Sequence, residues 1–147
     1  MGSRTPPKIR LHNLRQTLEP IPIQRLFKSF KVTVEIPRVG AEPDKVPFEF
    51  KYRDRKALAA LFLSWQEAFK ADEVRFKEMG AELTIVALTQ ANIEHQVSQV
   101  EALVVGWGYD VKLSQESIRA LVETSAGAGD AIVKAYQGAF EAARLGN

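Results

Sequence analysis

The side chains that could carry acid–base or metal chemistry in this chain are few. His12 and His95 are its two histidines, and it has no cysteine, which excludes thiol nucleophiles, thiolate zinc sites and disulfides. His95 stands between Glu94 and Gln96 in a helix-patterned stretch, away from that stretch's apolar stripe. Its i,i+4 neighbour is the amide of Gln99, whereas a zinc site needs further imidazoles or carboxylates at such spacings. The carboxylate pairs Asp72-Glu73 and Glu42 with Asp44 read as turn and surface positions, where like charges serve solubility and not tuned proton transfer. Gly127-Ala128-Gly129-Asp130 lacks the lysine and the length of a phosphate loop, and it follows a helical pattern instead of a strand, which argues against a dinucleotide fingerprint as well. The expectation is a protein that is not an enzyme, with no catalytic residue, no cofactor and no metal.

Aromatic side chains are the remaining source of binding energy. Trp107 and Tyr109 sit beside Gly106 and Gly108 where a helical pattern ends. Such residues anchor a partner, or they plug the corner between two helices, and both hold if the corner is also the rim of a groove. The structural corner is the leading reading.

The elements that would position these residues follow from periodicity. Phe30, Val32, Val34 and Ile36 alternate with polar residues up to Pro37, and Val46, Phe48 and Phe50 do so again. With a turn over Gly40–Lys45 they read as a β-hairpin, and Pro47 marks the early part of the second strand as an edge. Asp54 caps a helix whose stripe is Leu58, Leu61, Phe62, Trp65 and Phe69, expected to pack on the hairpin and to end at Gly80. Ala81 to Leu88 is ambiguous, since Leu83, Ile85 and Val86 fit a short strand or a buried loop. Thr89 or Asn92 caps the next helix, with Ile93, Val97, Val100 and Val104 inward, and Ser114 caps a shorter one burying Ile118, Leu121 and Val122. The Gly127/Gly129 linker bends sharply, and Asp130 caps a last helix facing inward with Ile132, Val133, Tyr136, Ala139 and Phe140. The fold class is α+β: an N-terminal β-hairpin packed on a mostly α-helical body.

At 147 residues and 46% apolar, the chain can bury a core without staples. No apolar run reaches the length of a membrane span, and no apolar stretch follows the basic N-terminus as in a secretory signal. The reading is a soluble intracellular protein with no membrane partner. The net charge of +2 is unevenly placed: up to Lys31, Glu19 is the lone acid against seven basic residues, among them Arg4, Lys8, Arg10 and Arg15. Residues 1–28 therefore read as a basic extended arm, with Ile21, Ile23, Leu26 and Phe27 able to dock, and residues 29–147 as one domain. The arm allows nucleic acid or an acidic partner, but its prolines and scattered charges favour a solvated leader.

The order of these parts resembles the tail assembly chaperones of long-tailed bacteriophages or prophages, over roughly residues 30–147. The resemblance rests on Phe30-Lys31-Val32-Thr33-Val34-Glu35-Ile36-Pro37 leading to Phe48-Glu49-Phe50-Lys51-Tyr52-Arg53, and on Val104-Val105-Gly106-Trp107 with Asp110 nearby. It rests also on Leu113-Ser114-Gln115-Glu116-Ser117-Ile118 and on Ala131-Ile132-Val133-Lys134-Ala135-Tyr136 before the closing Gly146-Asn147. It implies a non-catalytic protein of the host bacterial cytoplasm that binds the tape-measure protein, keeps it soluble, helps recruit tail tube subunits and leaves before the virion is complete. Many members are also made as a longer frameshift product. The basic arm departs from the family's usual short start, and is either a means of homo-oligomer formation or an upstream extension. The protein-binding residues expected are Trp107, Tyr109, Tyr136 and Phe140, lining a groove for amphipathic helices. The competing readings are a nucleic-acid-binding accessory protein using the arm, and a structural tail component.

Overall fold

The computed structural model describes residues 19–23 and 28–146. Of the arm expected over 1–28, Glu19 to Ile23 and Lys28 are described and solvent-exposed, Ile21 and Ile23 included; His12, Leu26 and Phe27 lie outside the described residues.

The alternating stretch forms β1 (Phe30–Arg38), antiparallel to β2 (Ala41–Phe50), with Val34 opposite Val46 and Phe30 opposite Phe50. The strands are longer than the pattern predicts. The turn is Val39-Gly40, with Gly40 at φ 73°, and most of the expected 40–45 turn is strand. Pairing of Glu35 with Lys45, and an Arg38–Asp44 ion pair at 3.6 Å, sustain the ladder beyond the apolar alternation. A third strand, β3 (Val104–Trp107), pairs antiparallel with β2 to give the order β1-β2-β3. Sequence periodicity assigned these residues to a helix end, because four residues are too short a run to show alternation. Pro47 thus lies in the central strand. Its backbone faces β3 where β3 ends: its carbonyl accepts from Gly108 N–H at 2.8 Å, and the N–H it lacks would have faced the same glycine, one residue beyond the end of β3, so the cost falls at the end of the ladder.

Helix α1 (Arg55–Met79) starts where Ala57 N–H donates to the Asp54 carboxylate at 2.8 Å and ends at Gly80, whose φ of 54° suits a residue without Cβ. A 3-10 turn (Gly80–Glu82) leads to α2 (Ile85–Leu103). The ambiguous stretch is therefore neither strand nor buried loop: it holds the end of the 3-10 turn and the start of a helix capped by Thr84, not by Thr89 or Asn92. Ser114 caps α3 (Gln115–Thr124) through a reciprocal pair of bonds with Ser117. The last helix, α4 (Ala128–Leu145), begins before Asp130, so Gly127 is the cap residue and Asp130 stands in the first turn, where its charge favours the helix dipole. Gly127 has a φ of −101° and Gly129 is a buried helical residue, so these glycines form a close contact with Gln96 and Pro37 and not a left-handed bend.

One face of the sheet buries Val34, Ile36, Val46, Phe48 and Phe50. Against it lie Val97, Val100 and Leu103 of α2, Ile118 and Val122 of α3, and Ile132 and Tyr136 of α4, all in one cluster. The architecture is α+β. The helix expected to cover the hairpin, α1, does not do so: none of its side chains is fully buried. The three later helices already occupy the apolar face, which leaves α1 only the outside of the layer.

Candidate protein-binding surface

Helix α1 places Leu58, Leu61, Phe62, Trp65, Phe69 and Phe76 on one side at helical spacing. Leu58, Leu61 and Trp65 touch the edge of the core, and Phe62 lies on Trp65 with ring centres 5.5 Å apart. Further along, α1 packs on α2. Phe69 meets the His95 ring at 4.5 Å, and Asp72 bonds both His95 Nε2 and Arg75. His95 is thus a half-buried link between two helices, where sequence placed it on the surface. Among the described residues no group of three or more histidines and carboxylates converges as metal ligands would.

Between the start of α1 and the end of α4 lies an open groove of about 920 Å³. Its apolar lining is Leu58, Ala59 and Phe62 from α1 with Phe140 and Ala143 from α4. The charged residues along it are Arg55, Glu141 and Arg144, the last two paired with each other. That pairing holds the Glu141 carboxyl below, and the Arg144 guanidinium above, their ordinary ranges.

The four aromatics expected to form the surface divide into two places joined through the core. Phe140 lines the large groove and meets Phe30 and Tyr52. Tyr136 is fully buried, which removes it from any direct contact surface. Its hydroxyl donates to the Lys51 carbonyl at 3.0 Å and accepts from Arg53 at 3.3 Å. Burial pushes its pKa up, against the lowering pull of Arg53. Trp107 and Tyr109 stand at the end of β3, edge to face at 5.1 Å, and both meet Phe48 edge-on. Trp107 Nε1 donates to the Val111 carbonyl at 2.9 Å and closes the bend after β3, a corner between a strand and a loop and not the corner between two helices that the sequence suggests. Half-buried, Trp107 also lines a smaller cleft of about 270 Å³ with Lys31, Pro47 and Glu49. Burial, and secondarily Asp44, push the Tyr109 pKa up. From Phe48 the rings continue through Phe50 and Tyr136 to Phe140, with centres 5.0–6.0 Å apart.

Sequence reasoning missed Arg53, Ala59 and Phe62. Arg53 donates to the Ala102 carbonyl at 2.7 Å, satisfying an orphan acceptor at the end of α2. Phe62 was placed in the core stripe; the signal that set it apart is a stripe wider than one sheet face covers.

The fold is a packed α+β core carrying an outer helix whose apolar side is half covered. A family model described as phage tail assembly chaperone matches residues 22–147. This chain belongs to that family, and its role is accordingly that of a chaperone in phage tail assembly, in contact with tail proteins. No curated relative and no solved structure matches it significantly. Among the described residues no helix is long and apolar enough to cross a membrane.

Proposed function

We propose that this chain is a non-catalytic chaperone that binds and solubilises the tape-measure protein and helps recruit tail tube subunits in the host bacterial cytoplasm, departing before the virion is finished. The observation that carries this reading is α1: a 25-residue helix with several large apolar side chains and none of them fully buried. A lone domain gains little from such a helix, since helices owe most of their stability to the face they bury. A binding protein gains a template for the apolar seams of a long helical client. No nucleotide chemistry is needed, because covering those seams suppresses aggregation by mass action and is reversed when assembly offers a better partner. The proposed contact residues are Phe140 at the groove and Trp107 with Tyr109 at the β3 corner; Tyr136 supports them from beneath.

Co-expression with the tape-measure protein, followed by pull-down and a solubility assay, tests this. Co-purification with rescued solubility is expected. A tape-measure protein that stays insoluble and unbound beside well-expressed chaperone overturns the reading. For the corner, Trp107→Ala is expected to weaken capture while circular dichroism and melting stay near those of the parent; lost folding returns Trp107 to a purely structural role. Finding the protein in purified particles would instead make it a structural tail component.

A further inference from the structure

Resting on the reading above, we infer that the groove between α1 and α4 receives an amphipathic helix of the client, and that the groove selects one carrying a carboxylate beside its apolar seam. Size is the first argument. A helix is about 10 Å across with its side chains and rises about 5.4 Å per turn, so one turn fills on the order of 400 Å³. The groove, at about 920 Å³ and open to solvent, is of the size to seat the apolar side of about two turns, the length over which an i, i+3, i+4, i+7 seam presents its anchors. The lining matches that seam: Leu58 and Phe62 on one wall, Phe140 on the other, and the small Ala59 and Ala143 where a guest backbone approaches.

Charge fixes the chemistry of the guest. The first turn of α1 holds Arg55 and Lys56 and no acidic residue, although that end of a helix disfavours cations. The other charges along the groove, Glu141 and Arg144, neutralise each other, while Arg55 forms no salt bridge among the described residues. The helix end itself is capped by the Asp54 carboxylate, so what the groove offers is the Arg55 guanidinium without an ion-pair partner among the described residues, and a guest carboxylate supplies that partner. The same sign disfavours this chain's own N-terminal stretch as occupant, since that stretch is itself cationic.

The test uses the full chain and two helix-stabilised synthetic peptides with identical leucine seams, one flanked by glutamates and one by lysines, with binding read by fluorescence anisotropy. The glutamate peptide is expected to bind at least about tenfold more tightly than the lysine peptide. Arg55→Glu is expected to reverse that preference, and Ala59→Arg, which fills the groove from an exposed position, to abolish binding of both, each with unchanged circular dichroism. Equal binding of the two peptides, or a preference indifferent to Arg55→Glu, overturns the inference. So does an Ala59→Arg chain that still binds. A self-associating chain that Ala59→Arg renders monomeric, without peptide binding by the parent, assigns the groove to a second copy and equally overturns it. Tape-measure capture is scored separately. Capture retained by the Ala59→Arg chain defeats the groove and leaves the chaperone reading standing, whereas a parent chain that binds the glutamate peptide but not the tape-measure protein does the reverse.

Discussion

At the scale of single residues, the polar ties that matter most are those that fasten loop to helix. Tyr136 is the largest fully buried side chain among the described residues, and its hydroxyl links the Lys51 carbonyl, Arg53 and, through Arg53, the Ala102 carbonyl near the end of α2. Tyr136→Phe keeps the ring and strips the link, leaving a buried acceptor and one arm of a guanidinium without a partner. It is expected to lower the unfolding free energy by about 1–2 kcal/mol, measured by urea titration with an unchanged m-value. Gly108 is constrained by approach: a Cβ there would lie 2.5 Å from Cγ of Pro47, closer than atoms can come, and the ring cannot retreat from the strand it belongs to. Gly108→Ala is therefore expected to loosen the end of β3 and to alter the Trp107 environment, read as a shift in tryptophan fluorescence with a lower melting temperature. Both sites were partly legible in sequence, as aromatics and glycines at an element end. What they do there depends on Lys51, Arg53 and Pro47, more than fifty residues away along the chain, and no local pattern reports that.

Among the elements, those set by local rules were readable and those set by competition for a shared face were not. The β1–β2 alternation, the Asp54 and Ser114 caps and the Gly80 stop are each decided within a few residues, and the structure has them. Strand β3 exists because the edge of β2 is open beside the end of α2, and α1 lies outside the layer because other helices cover the sheet first. Neither fact is encoded in the periodicity of the segment concerned. This is why Phe62 and Phe69 read as core, yet one lines a groove and the other lies on His95 with almost half its surface exposed. Helices α2 and α3 are joined at the surface by Arg119 with Glu94, and the guanidinium holds the Glu94 carboxyl below its ordinary range. A carboxyl whose folded pKa is depressed adds stability above its unfolded pKa, and that stability is lost as pH falls through the folded value. Glu94→Gln is thus expected to flatten the acid side of the stability profile slightly, with parent and variant converging below about pH 4. The effect is small because the pair lies at the surface, with Glu94 exposed and Arg119 partly so; denaturant midpoints across a pH series report it.

For the whole molecule, stability is graded, and the gradient runs toward the proposed binding surface. Helices α2 and α4 each contribute fully buried side chains to the core, while α1 contributes none. Local opening of a helix costs roughly the contacts it gives up, so α1 is the cheapest element to detach, held by the Phe69–His95–Asp72 contact and the rim residues Leu58, Leu61 and Trp65. A client helix seated between α1 and α4 would cover Phe62 and Phe140 together and supply the burial that α1 lacks. Hydrogen exchange followed by mass spectrometry is the measurement suited to this. In the free protein, amides of α1 are expected to exchange faster than those of α2 or α4, by roughly tenfold for each 1.4 kcal/mol of difference in opening free energy. On binding the tape-measure protein, protection is expected to rise most over residues 55–65 and 137–144, because the guest stabilises the closed arrangement by its differential affinity for it. Protection confined to the β3 corner would move the client to Trp107 and Tyr109. An α1 already as protected as α2 in the free chain would mean that its half-buried contacts suffice by themselves, and the argument that this helix is shaped for a partner would fail.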